Sequence, residues 1–581
     1  MSIFIKSILG VLIGLCLISL VARFYMTEKL PFVMDELVDT QIACQLEKGS
    51  DLYKDYVWVR TPLLNYLIAS TVGNGNNSFY TAVSARKVMW LLSLIIFILT
   101  FSISRQLHNL PIAITSVAFL ASYTTFLDRS IRIRADLLST LLSLPALWVL
   151  LSKKPSNYLF GLAGMFLGIA TLSTQKAIYF VIAFGIALLG RELTLYGLNK
   201  RFLSEFLKKT ILSSLGFFIP IIIFIIWLNV TDQFHQFVYD GIKHAGNAGL
   251  FNNTYKEATK VYLKQTIIRN PGIWFFSIVG MILYVLNGIR KNDQNINIVE
   301  YDKKHSYIAL SLWMLSLMIL VFNHKVKFPY VFLNLSPSLA ICAAFCFVYF
   351  MTNIGGVKLK NTSLFYYAVL FLSSLVVIIP AINRHYENLK DNALIVAQRA
   401  IMHRVDDLTA LDDYVFDGIG MAVTRRKATP YSMTARWFNE RKRRLEYDII
   451  KWLKTNKPIV MILNYRIKYL DLNEKTFISD NYLRDWANVF VVGKRISHMG
   501  DDITQKNIDV LAPAVYAIIA DYRENVLIDG KTPESTMILN AGSHEVIIRG
   551  AKQEIIIKLN SAVKNPLPFQ KPFRLYPSYV D

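Results

Sequence analysis

The stretch TILSSLGFFIPIIIFIIWLN, residues 210–229, runs for twenty residues without a charged side chain. As a helix rising about 1.5 Å per residue, it is as long as the hydrocarbon core of a bilayer is thick. Inside lipid every backbone N–H and C=O must be paired within the protein, so such a run reads as a membrane-spanning helix. Working outward, runs of similar character recur at about 3–24, 88–104, 110–126, 136–152, 158–174, 177–190, 272–289, 306–322, 331–351 and 364–381. With 210–229 they make about eleven transmembrane helices. The first could be taken for a signal peptide, but its apolar stretch is long and no clear small-residue cleavage site follows, so it reads as a span. The pair 158–174 and 177–190 is parted only by Gln175 and Lys176. That is either a tight hairpin or a broken helix lining a cavity.

Composition agrees. Of 581 residues 54% are hydrophobic and 18% charged, mean hydropathy is +0.37, and the net charge is +22. A disordered chain needs the opposite balance. Four cysteines are too few for a disulfide framework, and Cys16, Cys342 and Cys346 lie inside apolar runs.

After Asn383 the texture changes: apolar runs shorten and charges of both signs crowd in. Residues 382–581 carry about +6, leaving about +16 on the membrane half. Residues 1–381 therefore read as a transmembrane domain with loops 25–87 and 127–136, and 382–581 as a separate C-terminal domain. Within it, residues 386–405 look helical and could continue the last span. The region 382–505 mixes short strands (459–463, 489–492) with amphipathic stretches such as 437–453. From about 506 to 581 the pattern is all strand, with Asp529-Gly530 as a turn between 525–528 and 535–539, and predicts a β-sandwich.

An odd number of spans puts the termini on opposite sides. Basic pairs at 153–154, 200–201, 208–209, 290–291 and 303–304, with Lys358 and Lys360, fall on the side of the N-terminus, while the first long loop is acidic. The positive-inside rule then places the N-terminus in the cytoplasm and the C-terminal domain outside. Arg129, Arg132, Arg134, Lys325 and Lys327 lie on that outer side too, where orientation alone gives no reason for them.

Five features stand out on that face. Asp35-Glu36 follows the first span; it fits a general base, a metal ligand or a solvated loop charge. In the segment from Asp128 to Asp136, Arg132 and Arg134 suit a phosphate, since guanidinium binds it with two donors. Asp136 begins an apolar run and would equally serve as a helix N-cap. Lys176 lies between two apolar runs and could instead snorkel to the interface. His324, Lys325 and Lys327, followed by Tyr330, suit an anionic lipid headgroup. Finally, Gly49 to Tyr66 includes Tyr53, Trp58 and Arg60 and runs into an amphipathic stretch, 62–73, too short to span.

Together these motifs resemble the type C glycosyltransferases, the polytopic class that uses polyprenyl-phosphate sugars. Asp35-Glu36, Glu47-Lys-Gly49 and Thr61-Pro62-Leu-Leu resemble the first outer loop of that class. Arg134-Ala-Asp136-Leu-Leu resembles its second acidic site. His324-Lys325-x-Lys327-Phe328 resembles a His-Lys-x-x-Arg-Phe motif of related mannosyltransferases, with Lys327 one place earlier than that Arg. Tyr414 to Arg426, Pro430-Tyr431 and Trp437 resemble the C-terminal domain of such chains. One departure matters. The aminoarabinose transferases have Glu-Lys-Pro where this chain has Arg60-Thr61-Pro62, so their acidic metal ligand and their lysine are not carried over.

The resemblance implies an inverting sugar transfer from a polyprenyl-phosphate donor to a hydroxyl of a lipid, glycan or protein, at the outer face of a bacterial inner membrane. Asp35, Glu36 and Asp136 would be the catalytic carboxylates. Arg132, Arg134, Lys176, His324, Lys325 and Lys327 would bind the donor phosphate, and Tyr53, Trp58, Arg60 and Tyr330 the substrate. No cofactor is demanded; if a divalent metal serves, Asp35 and Asp136 are its oxygen ligands. Two other classes compete. A secondary transporter needs related halves and midplane helix breaks, and no repeat is visible. A flippase or polymerase acting on the same lipid would share the outer cations.

Overall fold

The computed structural model describes residues 3–244, 253–289, 303–325, 327–354, 363–390, 392–433, 448–467, 470–500 and 503–576. Each of the eleven apolar runs is helical. Among the described residues seven helices are long and apolar enough to cross a bilayer: Gly10–Lys29, Ser78–Leu107, Gln175–Tyr196, Lys200–Val230, Pro271–Ile289, Lys304–Phe322 and Pro329–Thr352. Leu110–Ser122, Ala135–Leu151 and Asn157–Ser173 are equally apolar but shorter. The eleventh is Ser363–Lys390. The chain is a multi-pass membrane protein.

Local chemistry sets the helix starts. Asn77, Asn109 and Asn199 each cap a helix by accepting the backbone N–H three residues on. The break at 174–177 is real. Thr174 is extended and its hydroxyl accepts the Lys176 N–H. The helices on either side go to different neighbours. Asn157–Ser173 packs on Lys200–Val230 so closely that a Cβ at Gly164 would collide with the Ser213 carbonyl oxygen. Ile178–Tyr196 packs on Lys304–Phe322. Of the two readings open from sequence, the structure has the hairpin: Lys176 at its tip pairs with Asp136 at the start of Ala135–Leu151, and Arg191 on the returning helix donates to the Ser152 carbonyl at that helix's far end.

The C-terminal domain is built on strands β1 (Tyr414–Phe416), β2 (Arg426–Lys427), β3 (Val460–Ile462), β4 (Tyr482–Trp486), β5 (Val489–His498), β6 (Thr504–Val510), β7 (Ala514–Ile519), β8 (Val526–Ile528), β9 (Thr536–Leu539), β10 (Gly542–Ile548) and β11 (Gln553–Leu559). Eight strands form one sheet in the order β2-β1-β3-β5-β11-β7-β9, with β4 also on β5. The other three pair as β6-β10-β8. Two sheets are present, but no boundary falls near residue 505: β5 pairs with β3 on one side and β11 on the other. Strand alternation reveals a strand, not its partner. The same limit shows at Asp529-Gly530. Both residues take positive φ and turn the chain, yet the flanking strands join different sheets, β8 on β10 and β9 on β7. Ala393–Leu408 is a helix of its own rather than part of the last span. Of the stretch 437–453, residues 437–447, including Trp437, lie outside the described residues; Ile449–Asn456 is helical.

The first loop belongs to the C-terminal domain's core. Its helix Met34–Glu47, called the acidic helix below, contributes Leu37, Val38 and Ile42 to one cluster with Val415, Phe416, Ile419 and Met461. Burying each aliphatic side chain contributes about 1.5–3 kcal/mol. Polar latches fix the register. Gln41 donates to the Ala422 carbonyl at 3.1 Å, Gln45 to that of Arg425 at 2.9 Å, and Lys48 to that of Thr424 at 3.0 Å. Asp417 accepts backbone N–H groups from Ile419, Gly420 and Met421. The loop it shapes brings Gly420 against Leu37 and Gln41. The sheet domain thus holds the acidic helix at one end of the bundle.

Candidate active site

Asp35 and Asp39 lie four residues apart and share one face of the acidic helix, while Glu36 points about 100° away. The two directions lead to different environments.

Glu36 is fully buried. It accepts from Arg86 Nε and Nη2, both at 2.8 Å, from Arg132 Nη1 at 2.9 Å, and from the backbone N–H groups of Val33 and Ile133 at 3.0 and 3.3 Å. Burial alone would raise its pKa, but the two guanidiniums outweigh burial and bring the carboxyl down to about 2. Both oxygens are engaged, so Glu36 is a clasp joining the acidic helix, the Ser78–Leu107 helix and the 130–134 loop. The expectation of a reacting Glu36 does not fit this enclosure. Arg132 turns its Nη1 to Glu36 and to the Pro31 carbonyl, so this part of it is taken before any ligand arrives.

Asp35 is different. Its side chain keeps 22% exposure. Arg134 Nη1 lies 2.6 Å from one carboxylate oxygen and Arg60 Nη2 3.5 Å from the other. Burial pulls its pKa up, but Arg134 and Arg60 outweigh it and hold Asp35 below the usual carboxylate range. Arg60 also donates to Asp39 Oδ2 at 2.7 Å, so one guanidinium bridges both aspartates. Asp39 is buried, its other oxygen has no partner among the described residues, and burial raises its pKa despite Arg60.

A second layer closes over this one. The Arg134 guanidinium carbon sits 4.1 Å from the Tyr330 ring centroid, and Lys176 Nζ 4.6 Å from it. Two cations share one aromatic face system, an attractive arrangement in a desolvated site. Lys176 is ion-paired with Asp136. Neither bland reading from sequence holds: Lys176 has a carboxylate partner, and the N-cap is Arg134, with Asp136 inside the first turn. Four distant stretches, 35–39, 60, 134–136 and 176, thereby meet at Tyr330.

The remaining expected residues lie farther out or deeper in. His324 Nδ1 and the Tyr179 hydroxyl are 2.7 Å apart. Burial and the nearby Lys176 lower the His324 pKa to about 4, so its imidazole is neutral at pH 7 and is a hydrogen-bonding group rather than a cation. Lys325 is exposed and Lys327 half-buried. Tyr53 and Trp58 were expected to touch substrate. Tyr53 is instead wholly buried and donates to the Arg60 carbonyl at 2.7 Å, and the buried Trp58 ring lies 5.6 Å from the Arg60 guanidinium. Both hold Arg60 in place. Sequence reading missed Asp39 and Arg86. The four-residue step from Asp35 to Asp39 was the available signal; Arg86, inside an apolar run, had none naming its partner.

Asp35 and Asp136, the candidate metal ligands, each face a fixed cation, Arg134 and Lys176. A hard divalent ion takes about six or more oxygen ligands, and among the described residues no three His, Cys, Asp or Glu side chains converge. The donor set does not fit a resident divalent ion, and Arg60 already bridges Asp35 to its neighbour Asp39.

A helical membrane domain with these acidic and basic loops at one end, capped by a mixed-sheet domain, is the type C glycosyltransferase fold. The comparisons agree. Residues 60–227 match the family model described as dolichyl-phosphate-mannose-protein mannosyltransferase. The structure resembles ArnT from Cupriavidus metallidurans bound to undecaprenyl phosphate, with a TM-score of 0.54 over 83% of this chain and 98% of that one at 12% identity. The same protein in its apo state gives 0.53 over 83% and 97% at 11% identity. At such identities the likeness is one of fold. No curated protein matches the sequence.

Proposed function

We propose that this chain is a glycosyltransferase that moves a sugar from a polyprenyl-phosphate donor to an acceptor hydroxyl with inversion, at the non-cytoplasmic face of a bacterial plasma membrane. The observation that carries the reading is Asp35: a partly open carboxylate, held ionised, inside a ring of Arg60, Arg134 and Lys176. The fold shared with ArnT, captured with undecaprenyl phosphate, supports a lipid-phosphate donor.

In this reading Asp35 accepts the acceptor's proton as the acceptor oxygen bonds to the anomeric carbon. The carbon–oxygen bond to phosphate breaks, and its electron pair leaves with the phosphate. A carboxylate below its usual range is a weak base. It takes the proton late, once bond formation has made the hydroxyl acidic, and a positioned base of this kind contributes about 10²–10⁴-fold. Phosphate gains charge as it leaves, so preorganised cations stabilise the transition state selectively. Arg134, Lys176, Lys325 and Lys327 fill that role, with neutral His324 donating a hydrogen bond. Asp136 holds Lys176, Glu36 holds Arg132 and Arg86, and Arg60 sets the spacing of Asp35 and Asp39. Tyr330 orients the donor-side cations.

The test is turnover by the purified full chain, reconstituted in vesicles, with a panel of polyprenyl-phosphate sugars. Product of inverted anomeric configuration is expected. Retained configuration, or vesicle-to-vesicle transport without glycoside formation, overturns the reading.

A further inference from the structure

The segment 128–136 distributes its charges unevenly. Asp128 is engaged by Arg384 Nε at 2.6 Å and Asn388 Nδ2 at 2.8 Å. Arg132 has Glu36 and Arg134 has Asp35. Arg129 is left over: it makes no hydrogen bond or ion pair with any described residue. The charges that act on it most strongly are Arg132, Asp128, Arg134 and Arg384, three cations and one carboxylate that already has a partner. The imbalance is doubled next door, where the single charge of Glu36 serves both Arg86 and Arg132. Arg132 Nε is buried with no acceptor among the described residues.

A partly buried guanidinium surrounded mainly by cations is unfavourable unless an anion joins them. Guanidinium is also the side chain best suited to phosphate, which it meets with parallel N–H donors. The location favours a lipid as the source. Arg129 ends the short Thr124–Arg129 helix, which follows the apolar Leu110–Ser122 helix directly. That short helix packs against Pro329–Leu335, the segment carrying Tyr330. Arg129 therefore lies at the end of an apolar helix, on the short helix that packs against the segment carrying Tyr330, where an anionic lipid headgroup is the natural partner.

We propose that Arg129, with Arg132 beside it, binds the phosphate group of a lipid, either the sugar donor or an anionic phospholipid of the surrounding bilayer. The donor arm rests on the proposed transferase reading; the phospholipid arm does not. The experiment compares wild type with Arg129→Gln and Arg129→Lys, full chain, in nanodiscs of phosphatidylcholine with or without phosphatidylglycerol. Donor kinetics are measured in phosphatidylcholine alone, and phospholipid bound to the released protein is counted by native mass spectrometry from the nanodiscs that contain phosphatidylglycerol. If the donor is the ligand, Arg129→Gln raises its KM roughly tenfold at unchanged kcat, and Arg129→Lys recovers part of the loss. If a bilayer lipid is the ligand, donor KM holds while the count of retained phosphatidylglycerol falls in Arg129→Gln and not in Arg129→Lys. Unchanged KM and unchanged lipid count overturn the proposal. Absence of turnover in wild type defeats the transferase reading, while the lipid count still decides on Arg129.

Discussion

Replacing Glu36 by Gln separates clasp from catalyst. The substitution keeps the shape but leaves two buried guanidiniums, Arg86 and Arg132, without their anion. Breaking a buried pair on one side costs about 3–5 kcal/mol. Proton linkage gives a second value from the same site. A carboxyl held at about 2 in place of its ordinary 4.5 corresponds to about 3 kcal/mol. The two agree at the lower end. The sign follows from the direction of the shift: a depressed carboxyl stabilises fully above its unfolded value, and that contribution fades as pH falls toward about 2. Thermal unfolding of the full chain in detergent should therefore show a constant Glu36→Gln deficit between pH 5 and 8, narrowing below pH 4. Turnover per folded molecule, with the folded fraction measured by size exclusion, should stay within a few-fold of wild type. A variant with wild-type melting but lost kcat would refute the reasoning, because Glu36 would then act on the reacting atoms.

The other outcomes concern chemistry. Asp35→Asn should lower kcat by about 10²–10⁴ while donor affinity and melting change little; wild-type turnover in that variant removes the base assignment. Because Arg134 and Arg60 keep Asp35 below the usual carboxylate range, the wild-type pH–rate profile should show no acid limb at ordinary carboxylate values; a limb there would show that Asp35 is not so held. Replacing Lys325 and Lys327 together by Gln should raise donor KM more than it lowers kcat, and identical kinetics across donor concentrations would exclude a phosphate role. Chelation with EDTA should leave turnover intact, whereas Arg60→Gln should impair it by freeing two neighbouring aspartates to repel; loss on chelation, restored by a divalent cation, would reverse that assignment.

Local sequence determined the elements. A run such as 210–229 is helical in lipid whatever surrounds it, because its backbone has no other partner, and Asn77 caps a helix by reaching three residues along its own chain. Short strands and the Asp529-Gly530 turn were legible for the same reason. The resemblance read from Asp35-Glu36, Arg134-Ala-Asp136 and His324 to Phe328 also stands, since the fold is the one those motifs implied. Tertiary structure alone decided the partners. Asp35 and Glu36 are adjacent in sequence and chemically alike, yet one faces a partly open ring of cations and the other is sealed between Arg86 and Arg132. One peptide step along a helix turned them apart by about 100°. What each meets then depends on residues from 25 to 141 positions away, which no local pattern encodes.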